Sequence, residues 1–228
     1  MRFLTLVAIA LLASSLRGQT PVEARDFIFV PGQHPTDASG HTPQSFDAQS
    51  RLCLENLASS LAKANLKPEN VVWLQAYLED VSQAEAFQQA FQRAFGAKAP
   101  ALAMLGVAAV GDDDSLLAID AIAYRDAAGM ERVADGNAVH AGGLTFVAAA
   151  PGRDLSTGKV PDTHAEQTRV ALENLGATLK SAGLGHEHMV FMHPYLLPSI
   201  AYGNMNKVYA TFFEFGATPA RATIFVDE

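Results

Sequence analysis

Gln49-Ser50-Arg51-Leu52-Cys53-Leu54-Glu55-Asn56-Leu57 returns 118 residues later as Gln167-Thr168-Arg169-Val170-Ala171-Leu172-Glu173-Asn174-Leu175. The same offset relates Val72 to Val190, Tyr77 to Tyr195 and Phe95 to Phe213. An offset that holds from one predicted element to the next indicates a duplicated domain rather than a solenoid of short units. The 228 residues therefore divide into two domains, each long enough to bury a core of its own. The copies part company near their ends, where Pro100-Ala101-Leu102 faces Pro219-Ala220-Arg221.

The apolar pattern assigns the elements. Cys53, Leu57, Leu61 and Ala64 recur at i, i+4, i+8 and i+11, which predicts a helix from about residue 44 to 64 with one apolar stripe. Ala171, Leu175, Leu179 and Ala182 repeat that stripe, and Asn65 and Gly183 stand where a left-handed helix end is expected. Asp26 to Val30 and Val71 to Leu78 read as strands, the latter followed by Asp80-Val81-Ser82 as the cap of a second helix carrying Phe87, Phe91 and Phe95 on one face. Ala101 to Val110 and Leu116 to Tyr124 read as two closing strands joined in a hairpin at Gly111-Asp112-Asp113-Asp114. The polar segment from Asp126 to Asn137 reads as the domain boundary. The second domain opens with a strand over Ala138 to Ala150, and Pro194 inside the predicted strand Met189 to Leu196 argues for an edge position or a bulge. No second copy of the hairpin and last strand, residues 111–124, follows Arg221 in the sequence given.

Composition narrows the function. With 49% hydrophobic and 18% charged residues the chain has a globular composition, and its formal net charge is −8. Clustered Lys and Arg are lacking, which argues against nucleic acid as a partner. Residues 1–18, with Arg2 ahead of the apolar run Phe3 to Ala13, read as a secretory signal, so the protein is expected to be exported to a periplasm or the extracellular space. Its removal would take away Arg2 and Arg17 but no acid, leaving a net charge of about −10. That run is too short to span a bilayer and no second one approaches the length, so no membrane association is expected. Cys53 is the one cysteine, placed on the inward helix face opposite Ala171, and reads as a core residue. The acids at 112–114 on a turn are most simply solvated, and His186-Glu187-His188 with nearby His193 lies in a loop that fixes no third ligand, so no metal is expected.

Gly32-Gln33-His34-Pro35, the helix with Gln49 and Glu55-Asn56, Tyr77-Leu78-Glu79-Asp80, Pro219-Ala220-Arg221 and Ile119-Asp120-Ala121-Ile122-Ala123 come in the order they take in the RidA/YjgF family. The resemblance covers nearly the whole chain after residue 18, once per repeat. It implies an α/β (α+β) fold of two tandem RidA-like, chorismate-mutase-like domains, over residues 26–125 and 138–228, each a mixed sheet with two helices on one face. It also implies homo-oligomers with trimer-like packing of the domains through their sheets, no metal and no organic cofactor. The implied activity is hydrolysis of reactive 2-imino and enamine acids to 2-keto acids and ammonia. In that picture the Pro-Ala-Arg arginine, here Arg221, grips the substrate carboxylate, and a last-strand acid, here Asp120, positions the attacking water.

The residue types suit that chemistry. A guanidinium offers a planar two-pronged donor to a carboxylate, and a protonated imine carbon needs only orientation, a water and proton transfer. Leu102 stands in the first repeat where the second has Arg221, so neither repeat carries both groups. Two readings follow. One is an imine deaminase using Arg221 and Asp120 from neighbouring domains, with a carboxylate-bearing imine or keto acid as ligand. The other is a non-catalytic binding or scaffolding relative.

Overall fold

The computed structural model describes residues 21–111, 114–197 and 201–226. The signal read over residues 1–18 and the acids Asp112 and Asp113 lie outside the described residues.

The first repeat builds one sheet and two helices. Its elements run β1 (Val22–Ala24), β2 (Phe27–Gln33), α1 (Phe46–Lys63), β3 (Val71–Leu78), α2 (Ala84–Phe95), β4 (Ala101–Gly106) and β5 (Leu117–Tyr124). The sheet order is β1-β2-β5-β3-β4, with β3 and β4 parallel and the other neighbours antiparallel. Both helices lay their apolar faces on one side of this sheet. Cys53, Leu57 and Leu61 from α1 and Phe87 and Phe91 from α2 pack with Ile28, Leu74, Leu78, Leu117 and Ile119, all nearly without exposure. Ser45 caps α1 by accepting from the Ala48 amide at 3.3 Å, and Asn65 ends it at φ 58°.

One expectation fails here: β4 and β5 are not a hairpin. β3 lies between them, because a parallel β3–β4 pair returns through α2 and leaves β5 to enter antiparallel between β2 and β3. The connection from residue 107 to 116 therefore passes from one edge of β3 to the other. Buried Gln49 pins it, donating from Nε2 to the carbonyls of Asp114 (2.8 Å) and Pro43 (2.7 Å) and accepting from the Leu116 amide at Oε1 (2.8 Å).

The second repeat reproduces the helix and the parallel pair. Its elements are β6 (Glu131–Val133), β7 (Ala138–Ala141), β8 (Leu144–Val147), α3 (His164–Ser181), β9 (Phe191–Met192), β10 (Tyr195–Leu196), α4 (Ala201–Tyr209), β11 (Ala220–Arg221) and β12 (Ile224–Phe225). α1 and α3 have the same length and begin 118 residues apart. Small anchors recur too. Gln167 donates to Pro161 as Gln49 does to Pro43, and Asn174 donates to the carbonyls of Pro151 and Arg153 as Asn56 does to those of His34 and Thr36. Trp73 pairs with Ala101 in the first repeat and Phe191 with Ala220 in the second, the same register.

Three features differ from the sequence reading. The strand expected over Met189 to Leu196 is broken at His193-Pro194 into β9 and β10, each paired in parallel with one partner among the described strands, the edge position that Pro194, with no N–H to give, argues for. The segment read as Ala138 to Ala150 is a hairpin, β7 and β8, turning at Gly142 and Gly143 with φ 57° and 79°. The polar boundary contains β6, which pairs with β7, and its Arg132 reaches back to the carbonyls of Ala99 (2.9 Å) and Glu69 (3.1 Å).

The hairpin also joins the repeats. Val139 and Ala141 pack with Val72 and Ala101 on the face of the first sheet that has no helices, and the Phe27 ring lies tilted between those of Tyr124 (4.9 Å) and Phe146 (5.6 Å). A Cβ at Gly142 would come within 2.8 Å of the Tyr124 ring, so the turn touches the face directly. Among the described residues of the second repeat no strand takes the position that β5 holds in the first, between β8 and the parallel pairs. Its sheet is thus in separate parts, and Leu175 is half-buried where its counterpart Leu57 is buried.

Candidate functional site

Alternation along β5 decides where Asp120 points. Leu117, Ile119, Ala121 and Ala123 enter the helix-backed core, so Asp120 emerges on the helix-free face. On β3 the core takes Leu74, Ala76 and Leu78, which turns Gln75 and Tyr77 to the same face as Asp120. Tyr77 Oη donates to Asp120 Oδ2 at 2.9 Å. Gln75 is the direct cross-strand partner of Asp120. Its amide is nevertheless engaged elsewhere, with Nε2 at 2.9 Å and Oε1 at 3.2 Å from Tyr195 Oη of the second repeat. No other hydrogen bond reaches the Asp120 carboxyl from the described residues.

The electrostatics follow from this placement. Burial pushes the Asp120 carboxyl up to about 6, against the Tyr77 hydrogen bond, which pulls the other way. Burial also raises Tyr77, with the neighbouring Asp120 charge adding to it, and raises Tyr195. His193, the counterpart of Gln75, stacks on Tyr195 at 6.1 Å and is held below the usual imidazole range by burial. A carboxyl of this kind, able to hold or release a proton near neutrality, is suited to take a proton from water.

Arg221 lies elsewhere. It pairs with Met192 on β9 and occupies the place Leu102 holds in the first repeat, on the helix side of the sheet. Its guanidinium carbon sits 4.6 Å from the ring centroid of Tyr209 and 5.8 Å from that of Tyr202, with Nη1 at 3.4 Å from Met205 Sδ. No ion pair or hydrogen bond links it to Asp120, and the chain does not bring the two together. The sequence reading missed Tyr77 as the hydrogen-bond partner of Asp120, and Gln75 with its Tyr195 contact as the neighbours beside it. The available signal was that Tyr77 and Tyr195 share one repeat position beside the polar pair Gln75 and His193. Among the described residues no three His, Cys, Asp or Glu side chains are grouped to hold a metal, and no helix is long and apolar enough to cross a membrane.

A mixed sheet backed by two helices, with a protonatable carboxyl on its helix-free face, defines the class of domain. The model of the family described as Endoribonuclease L-PSP matches residues 17–125 and again residues 135–228. The chain belongs to this family, that of the RidA and YjgF proteins. It is 36% identical over 78 residues to a mouse protein named 2-iminobutanoate/2-iminopropanoate deaminase, covering 34% of this chain and 57% of that one. The chain thus spans little more than half the length of that relative. A RutC family protein of Aquifex aeolicus is 30% identical over 92 residues, 40% of this chain and 74% of that one. Among solved structures, RidA from Psychrobacter sp. PAMC 21119 is similar over 49% of this chain and 93% of its own, at 23% identity and a TM-score of 0.45.

Proposed function

We propose that the protein is a RidA-like hydrolytic deaminase, converting reactive 2-imino and enamine acids to 2-keto acids and ammonia. The observation that carries this reading is the Asp120 carboxyl, largely buried on the helix-free sheet face, hydrogen-bonded among the described residues by Tyr77 only and raised by burial to about 6. Ionised Asp120 takes a proton from water as the water oxygen bonds to the carbon of the protonated imine, giving a neutral tetrahedral carbinolamine. That proton passes to nitrogen, the carbon–nitrogen bond breaks, and ammonia leaves as the hydroxyl gives its own proton to the freed Asp120 carboxylate and becomes the keto group. Arg221 of a neighbouring copy would hold the substrate carboxylate, in a homo-oligomer packed through its sheets in a trimer-like way. The relatives named as imine deaminases support the same activity.

A second reading, a carboxylate receptor without turnover, draws support from Arg221 itself. Its guanidinium is stacked on Tyr209 and unconnected to Asp120 within the chain. One assay separates the two: hydrolysis of 2-iminopropanoate or 2-iminobutanoate generated in situ, with binding of the matching 2-keto acid measured in parallel. Under the deaminase reading Asp120→Asn lowers turnover while keto-acid binding stays nearly intact. Arg221→Ala weakens binding at least thirtyfold, the equivalent of about 2 kcal/mol or more for a lost charge-assisted contact, and Arg221→Lys restores little. Wild-type protein that binds the keto acid but never turns over the imine would leave the receptor; protein that does neither would end both readings.

A further inference from the structure

Gln75 and Asp120 are directly opposed across β3 and β5 on the helix-free face, the arrangement in which side chains lie close enough to bond. An amide there would be the natural second donor to the carboxyl. Instead both ends of the Gln75 amide face one hydroxyl, that of Tyr195, which arrives from the second repeat. Gln75 is only 3% exposed, so its amide has no water to turn to in place of that hydroxyl. Tyr195 is itself held from several sides. β10 pairs it with Ile224 of β12, Pro194 fixes the chain just before it, and the His193 ring stacks against its own. Its counterpart Tyr77 makes the opposite choice and donates to Asp120.

We propose that Tyr195 is a positioning residue for Asp120, acting through Gln75: by holding the Gln75 amide turned away from the carboxyl, the second repeat keeps the first repeat's acid free to exchange its proton with a bound water. Without the Tyr195 hydroxyl the buried amide must find another acceptor, and the Asp120 carboxyl is its cross-strand neighbour. A second donor would favour the charged carboxylate and weaken its hold on a proton. The titratable groups facing Asp120 are Tyr77 from β3 and, through Gln75, Tyr195 from β10 with His193 behind it. From β2 the bulge Pro31-Gly32 stands opposite Asp120 and carries no ionisable group. This inference deepens the deaminase reading and rests on it for the catalytic consequence; the titration itself does not depend on it.

The test uses the full chain with carbon-13 at the aspartate carboxyls, the Asp120 signal being assigned by its loss in Asp120→Asn. Wild type, Tyr195→Phe, Gln75→Met and the double variant are titrated, and the pH profile of kcat/KM on 2-iminopropanoate is recorded for each. Tyr195→Phe is expected to lower the Asp120 midpoint enough to raise its acid dissociation constant about tenfold, and to move the acidic limb of the profile with it. Gln75→Met should leave the midpoint near that of wild type, and adding Tyr195→Phe to it should change nothing further. The inference is overturned if Tyr195→Phe leaves the midpoint in place, or if it shifts the midpoint equally in the Gln75→Met background. A downward shift in a protein that shows no deaminase activity at all would uphold the amide relay and discard the activity, so the two failures are distinguishable. Should Tyr195→Phe prove misfolded by amide spectra, Gln75→Glu gives a second reading. A carboxylate placed beside Asp120 and still held by Tyr195 should raise the Asp120 midpoint, and no change there would also overturn the inference.

Discussion

Asp120 titrates at about 6 in the folded chain against an ordinary 3.8, and the difference bears on stability as well as on chemistry. Below about pH 4 both folded and unfolded chains hold the proton. Between about pH 4 and 6 the unfolded chain releases it while the fold retains it, so stability falls as pH rises through that window. Above it the cost levels off at roughly 3 kcal/mol. Asp120→Asn removes this term. In urea denaturation the variant should match wild type near pH 4 and exceed it by up to about 3 kcal/mol at pH 7, and equal stability at both pH values would contradict the burial of the carboxyl. The outward direction of Asp120 was legible from its alternation with Ile119 and Ala121. The direction of Arg221 was not read from the sequence; it follows from the register of β11 on β9, which gives it the place Leu102 holds on the helix side of the first repeat. The Tyr195–Gln75 contact was not legible either, since it joins residues 120 apart and depends on how one repeat docks on the other.

At the scale of elements, the copied helix is read easily because its stripe and its polar anchors are both local. Gln49 and Gln167 each donate to a proline carbonyl six residues back. What the neighbouring chain does with the rest of the side chain separates them. Gln49 also closes two bonds to the residue 107–116 connection and is 1% exposed, whereas Gln167 is half-buried and shows no such bonds among the described residues. Gln49→Leu takes their side-chain partner from the Asp114 carbonyl and the Leu116 amide and should cost about 2 kcal/mol. Gln167→Leu should cost less than about 1 kcal/mol. Matched denaturant midpoints for the two variants would show that Gln49 does not pin the connection. That connection also explains the misread hairpin. Two apolar runs joined by a turn-rich segment fit a hairpin as well as a crossover, and only the pairing of β5 with both β2 and β3 distinguishes them.

Across the whole molecule the repeats share a sequence pattern and differ in structure. The first has a continuous five-stranded sheet, while the second divides its strands between a hairpin lying on the first repeat and two short parallel pairs beneath its own helices. That the second repeat's opening hairpin would dock on the first repeat was not legible from the 118-residue offset, because strand pairing and docking are long-range properties and the offset records only local likeness. Cys53 turns this asymmetry into a chronometer. Its thiol sits in the first repeat's core with no exposure, and burial raises its pKa far beyond the reactive range. The second repeat has alanine, Ala171, at that place, so a thiol reagent counts openings of one repeat and is blind to the other. In mild denaturant, amide exchange in α3 should outrun modification of Cys53, each rate reporting its own repeat. Modification keeping pace with α3 exchange would mean that the two halves open as a single unit, with the docked hairpin enforcing one lifetime on both.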